Sequence, residues 1–274
     1  MQIAIQGARG SFHNEAALKI DPLAQIVPKQ NFSDVFRAVL RGEVEYGLCA
    51  IENNLHGPIN EVYRLLERHD VWITCDVRLH IAQQLIGPTS ISLDELAASP
   101  DARVLSQAPA LAQVELWLDE HLPLAARVET RDTAASVEDV VELREPHSLA
   151  VASRFAAEVY GGVIVAENIQ DDPHNYTRFI LFQKERTAVA NATHASLILK
   201  TNHTPGALLR ALEVFAREGC NLTKLDSHPI PGDQRHYAFY IDYELARPDS
   251  TATIVAALEA QGCQVKLLGE YTSV

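Results

Sequence analysis

The sequence predicts an α/β protein in two lobes, followed by a smaller α+β domain. Short apolar runs such as 46–51, 149–152 and 163–166 alternate with amphipathic stretches of helical period, the pattern of parallel sheet covered on both faces. A late strand at 179–182 returns the chain after the second αβ set, so a cleft is expected between two lobes. Beyond a polar passage at 185–193 the order becomes strand, helix, strand, strand, helix, strand, which is the ferredoxin-like unit. The expected limits are 1–186 for the first domain and 194–274 for the second. Within the first, the lobes are roughly 1–76 with 167–186, and 77–166.

Gln2 to Gln6 alternates as a strand does, Gly7-Ala8-Arg9-Gly10 breaks it, and a helix follows with Ser11 or Asn14 as its cap. Free amides at such a helix start can hold an anion; a plain βα turn reads equally well. The spacing is that of neither a Walker loop nor a dinucleotide fingerprint. A weak strand at 25–27 leads to a helix at 34–41 capped by Ser33. The apolar strand at 46–51 ends abruptly in Glu52-Asn53-Asn54. Ligands of parallel sheets bind beyond such carboxyl ends, which makes this triplet a site candidate as well as a turn. Gly57-Pro58 opens a helix at 59–69, and 71–86 carries the chain to the second lobe.

There a short helix at 94–98 precedes a strand at 103–105, with Ser106 at its carboxyl end. One helix is expected over 110–121, with Gln113 one turn in. A strand at 125–129, a helix to 143 capped by Asp132 or Thr133, a strand at 149–152 and a helix at 153–160 follow. In the C-terminal domain the strands are 196–199, 222–227, 237–242 and 263–269. The helices are 207–217, after the turn Thr204-Pro205-Gly206, and one capped by Ser250 or Thr251; a further turn is expected at 228–232.

The net charge of −13 opposes nucleic-acid binding and leaves capture of any anionic substrate to local donors. Hydrophobic and charged fractions of 47% and 22% are those of an ordinary globular chain. Cys49, Cys75, Cys220 and Cys263 lie far apart, without a Cys-x-x-Cys pair. They read as reduced thiols of a cytoplasmic protein, and no metal site is expected. The first residues do not read as a signal peptide, and no run is long enough to span a membrane.

The stretch His174-Asn175-Tyr176-Thr177-Arg178-Phe179 follows the turn-forming Asp171-Asp172-Pro173 and enters the apolar strand. An amide, a hydroxyl and a guanidinium thus stand where a loop becomes a rigid strand, a usual place for working side chains. With Ala50-Ile51-Glu52-Asn53, Gly57, Ser106, Ala110-Leu111-Ala112-Gln113 and Asp132-Thr133-Ala134, the chain resembles the prephenate dehydratases. These are bilobed, periplasmic-binding-protein-like catalytic domains with a C-terminal ACT regulatory domain. Pro205-Gly206-Ala207-Leu208, Asn221-Leu222-Thr223 and Ser227-His228-Pro229 carry the resemblance through the ACT part.

The resemblance implies that prephenate loses carbon dioxide and its ring hydroxyl to give phenylpyruvate, without a cofactor. It also implies feedback by L-phenylalanine and a homodimer or homotetramer. Aromatisation drives the loss of the carboxylate, so the protein mainly has to help hydroxide leave, which calls for a positioned donor. By resemblance Thr177 is that donor, Asn53, Ser106 and Gln113 are the set around the substrate, and Glu52 is an orienting partner. Arg178, whose fork fits a carboxylate and would equally serve a structural ion pair, Asn175 and Thr133 complete substrate binding. Gly206, Ala207, Leu208, Asn221, Leu222, Asp226 and Ser227 are the expected effector site.

The chain departs from the family pattern at Ser106-Gln107-Ala108-Pro109, where Ser-His-Pro-Gln is common, and at Ala8, Asn54 and Asp132. Asp226-Ser227-His228-Pro229 stands where Glu-Ser-Arg-Pro is usual, which bears on the effector. Arogenate as substrate, and a bilobed binding protein without chemistry, are the alternatives.

Overall fold

The computed structural model describes residues 1–229 and 237–274, so the turn expected at 228–232 lies partly outside the described residues. Met1–Asn60 with Val77–Phe179 forms one compact unit, and Glu61–Asp76 with Ile180–Val274 forms another. Glu61–Asp76, which the sequence assigns to the first lobe, therefore packs with the C-terminal residues.

In chain order the first half holds β1 (Gln2–Gln6), α1 (Phe12–Ile20), β2 (Gln25–Lys29), α2 (Phe32–Leu40), β3 (Tyr46–Asn53), β4 (Gly57–Pro58), α3 (Asn60–Arg68) and β5 (Trp72–His80). The second set is β6 (Gln84–Gly87), α4 (Leu93–Ala98), β7 (Arg103–Ser106), α5 (Ala108–Ala112), α6 (Glu115–His121), β8 (Ala126–Glu129), α7 (Thr133–Leu143), β9 (Ser148–Ala152), α8 (Arg154–Tyr160) and β10 (Val163–Ala166). After β11 (Tyr176–Gln183) come β12 (His194–Lys200), α9 (Ala207–Arg217), β13 (Leu222–Pro229), β14 (Tyr237–Glu244), α10 (Ser250–Ala260) and β15 (Gln264–Ser273).

The first unit contains two sheets, the two lobes. One has the order β11-β3-β1-β2, with β1 parallel to β2 and β3. The apolar run of β3 is buried on both faces from Gly47 to Ile51, which is why it reads as continuous hydrophobics. The other has the order β10-β6-β9-β7-β8. Its β7 is parallel to β8 and β9, but β6 is antiparallel to β9 and β10, so the sheet is mixed. Leu85, Val104, Leu118, Leu149 and Val151 fill one core of this lobe, and Ile86, Val137, Val140 and Ala156 another.

Local chemistry sets the helix starts. Ser11 caps α1, accepting from the Asn14 amide, and Ser153 caps α8. Asn31, not Ser33, caps α2, with Oδ1 2.9 Å from the Asp34 amide. The single helix expected over 110–121 is two. Gln113 is the C-cap of α5, and the Asp171 carboxylate accepts from the amides of Leu116 and Trp117, each at 3.0 Å. A side chain from far along the sequence thus supplies the start of α6.

In the second unit the strand order β13-β14-β12-β15 is that of a ferredoxin-like sheet, with β5 added alongside β15. Leu197, Leu199, Phe215, Ile241, Tyr243, Ile254 and Leu258 build its core beneath α9 and α10. Tyr63 of α3 packs edge-on to Tyr240 at 4.7 Å and stacks with His228 at 5.5 Å. Gly269 lets β15 and β5 meet: a Cβ there would lie 2.2 Å from the Ile73 carbonyl oxygen.

Candidate active site

The polar cluster forms where β3 ends and β11 begins. Asn53 Nδ2 stands 2.7 Å from Asn175 Oδ1, 3.0 Å from Thr177 Oγ1 and 3.1 Å from the Tyr176 carbonyl. Its Oδ1 accepts from the amides of Leu55 and His56, both at 3.0 Å. All the hydrogen-bonding capacity of this one amide is used, so its orientation is fixed. Next to it, Asn54 Oδ1 accepts from the Tyr176 amide, and Asn54 Nδ2 donates to the His174 carbonyl. The two polar stretches singled out from sequence, 122 residues apart at Asn53 and Asn175, are thereby laced together.

Glu52 and Arg178, one residue along from Asn53 and Thr177, also meet. Arg178 Nη1 is 3.5 Å from Glu52 Oε1, with the Arg178 side chain only 7% exposed. Ser106 is completely buried, and its Oγ donates to the Val151 carbonyl at 2.7 Å. Gln113 lies at the break between α5 and α6: its Oε1 accepts from Gln83 Nε2 at 2.9 Å, and its carbonyl oxygen accepts from the Asp171 amide. Thr133, buried, is the first residue of α7.

Asp132 caps α7 through Oδ1, which accepts from the amides of Ala134 and Ala135 at 2.9 Å, while its Oδ2 accepts from the Ala8 amide at 3.3 Å. The glycine turn is therefore held by a carboxylate of the other lobe. Gly7 has φ +94°, and a Cβ there would come within 2.5 Å of Asp132 Oδ2, so this approach requires glycine. A cavity of about 730 Å³ opens beside the turn, with Lys29, Asn31, Arg37 and Arg131 among its lining; Asn53 and Thr177 do not line it.

Two residues near the cluster carried no sequence signal. His13, on the first turn of α1, accepts from the Ala50 amide at 3.1 Å through Nε2 and meets Phe179 edge-on at 5.0 Å. Burial lowers its pKa to about 3, and the accepted amide proton agrees with a neutral ring. Gln83 is the other; its polarity, shared with Gln84 beside it, did not set it apart.

In the C-terminal unit, Gly206 (φ +78°), Ala207 and Leu208 line a cavity of about 500 Å³ together with Thr201, Asn202, Tyr237 and Phe239. Asn221, Leu222, Asp226 and Ser227 do not line it. Leu222 packs against the core, Asn221 and Ser227 are exposed, and Asp226 pairs with His228 at 3.1 Å. Among the described residues all four cysteines are free, no three potential metal ligands cluster, and no helix is long and apolar enough to cross a membrane.

Two sheets with polar groups gathered at their strand ends, followed by a ferredoxin-like domain, define a bilobed α/β enzyme with an ACT-type regulatory part. The chain belongs to the prephenate dehydratase family, whose model matches residues 3–187. It is 34% identical over 283 residues to arogenate dehydratase/prephenate dehydratase 2 of Arabidopsis thaliana, covering 99% of this chain and 72% of that protein. The prephenate dehydratase of Arthrobacter aurescens, solved in complex with L-Phe, superposes with a TM-score of 0.86 at 27% identity, over 99% of this chain and 90% of that one. A structure described as GqqA, a novel type of quorum quenching acylase, also gives 0.86, at 29% identity, over 100% of this chain and 98% of that one.

Proposed function

We propose that this chain converts prephenate to phenylpyruvate, with Thr177 as the donor to the departing hydroxyl. The observation that carries the reading is the bond from Asn53 Nδ2 to Thr177 Oγ1. Because the oxygen accepts, its own proton is left to be given outward. As the carbon–carbon bond to the carboxylate breaks, its electron pair enters the ring and the carbon–oxygen bond opens. Carbon dioxide and, with one proton, water are released. A hydroxyl polarised by a fixed amide stabilises the leaving oxygen as charge develops on it. Asn175 holds the amide of Asn53 in place, Gln113 offers its Nε2, and Arg178 with Glu52 forms the charged pair beside the cluster. Ser106 and Thr133 act in this reading as the packed supports of β7 and α7 at the cleft.

The same reading makes L-phenylalanine an inhibitor held at the cavity around Gly206, where Tyr237 and Phe239 supply aromatic surface and the start of α9 supplies amides for a carboxylate. It also places the chain in the cytoplasm as a homodimer or homotetramer. The test is purified protein with prephenate, following phenylpyruvate by absorbance, with and without L-phenylalanine. Absence of phenylpyruvate would overturn the reading. The Arabidopsis relative bears both substrate names, so arogenate belongs in a parallel assay of phenylalanine formation; faster turnover there would make this an arogenate dehydratase.

A further inference from the structure

We propose that Gln83 is a positioning residue for this reaction, acting through Gln113; the inference rests on the function proposed above. Gln83 is 2% exposed and lies in the passage between β5 and β6. Its backbone is held at both polar atoms: the amide donates to Gln170 Oε1 and the carbonyl accepts from the Ile169 amide, each at 2.9 Å. Its side chain then donates from Nε2 to Gln113 Oε1 at 2.9 Å. A primary amide whose oxygen is taken by a fixed donor can only turn its nitrogen the other way. With Gln83 Nε2 as the donor, the Gln113 oxygen is taken and its N–H, rather than its carbonyl, is left for the site.

The same segment is tied to the Thr177 cluster. Ile81, two residues before Gln83, donates its amide to the Asn175 carbonyl at 2.8 Å. Around this link lie two buried atoms with no hydrogen-bond partner among the described residues, the acceptor Gln83 Oε1 and the donor Asn175 Nδ2. Buried polar atoms are paired in the great majority of cases, and exceptions call for a reason. One acceptor and one donor, left open on neighbouring segments that also hold Gln113 and Asn53, fit a polar partner that arrives with the substrate.

The test compares Gln83→Met and Gln83→Glu, which keep the length of the side chain. Met can make no bond to Gln113, and kcat/KM is expected to fall by about 10²-fold, mostly in kcat, as for a displaced contact group. With Gln83→Glu, the ionised carboxylate can only accept, so the Gln113 amide must reverse. When protonated, the new carboxyl can donate to Gln113 Oε1 again. Its activity relative to the parent is therefore expected to recover as pH falls, whereas that of Gln83→Met is not. Parent-like kcat/KM in both variants, or the same pH profile for the two, would overturn the proposal. So would failure of both to fold, which would make Gln83 structural. Independently of turnover, the side-chain NH₂ signal of Gln113, identified by its loss in Gln113→Glu, is expected to shift in Gln83→Met; an unmoved signal refutes the contact. A parent protein without prephenate turnover counts against the proposed function, while the Gln113 signal still decides the positioning.

Discussion

Thr177 Oγ1 accepts from Asn53 Nδ2 at 3.0 Å, and among the described contacts its own proton goes to no acceptor. Thr177→Ala is therefore expected to lower kcat by roughly 10²–10⁴-fold, the scale of a lost acid contact, with a much smaller change in KM. Steady-state kinetics on prephenate checks this, and near-normal kcat would remove Thr177 from the mechanism.

Asn53→Asp separates the two halves of the same side chain. The oxygen that accepts from the Leu55 and His56 amides is retained, while the donor to Asn175 and Thr177 is lost. Circular dichroism should show a folded protein and the assay a large loss of turnover. Unfolding would mean that the amide serves the loop alone.

His13 predicts a pH dependence of stability. Its folded pKa, about 3, lies below the ordinary value of 6.5, so below about pH 6.5 the unfolded chain binds the extra proton. The contribution is fully present above that pH and is lost as pH falls toward 3, by at most about 1.4 kcal/mol per pH unit. Urea unfolding between pH 4 and pH 7 should show a steeper slope for the parent than for His13→Gln. Equal slopes would assign the acid sensitivity to other groups.

Gly206 is left-handed at φ +78°, and a Cβ there would lie 3.0 Å from Arg210 Nη1. Gly206→Val strains this turn and crowds the cavity, so calorimetry should show L-phenylalanine binding weakened or lost. Unchanged binding would move the effector away from the start of α9.

At Gly269 the obstacle is backbone, which has little room to move. Gly269→Ala should destabilise by roughly 1–3 kcal/mol, as overpacking does, with a lower urea midpoint; an unchanged midpoint would mean that β15 and β5 separate freely.

Much of this was legible in sequence because it depends on local period and polarity. The apolar β3 ending in Glu52-Asn53-Asn54, and the polar 174–178 before an apolar strand, announced themselves as strand ends, and the structure joins them. The break at Gln113 was not legible, since the carboxylate that starts α6 comes from Asp171. Asn31 and Ser33 are both good caps, and sequence alone could not rank them. Gln83 stayed hidden because its importance lies in which of its atoms find partners. For α3, the amphipathic pattern shows that one face is covered, but nothing local names the covering element.

The packing of α3 and β5 has a bearing on how such proteins can be recombined. Residues 61–76 travel with the N-terminal part of the gene yet fold with the C-terminal sheet, through Tyr63 against Tyr240 and His228, and through Gly269 against Ile73. A chimera that takes its effector response from a relative by splicing at 185–193 would keep this chain's own 61–76 opposite foreign strands. The graft that matches the surfaces is discontinuous: it exchanges the late segment and the early one together.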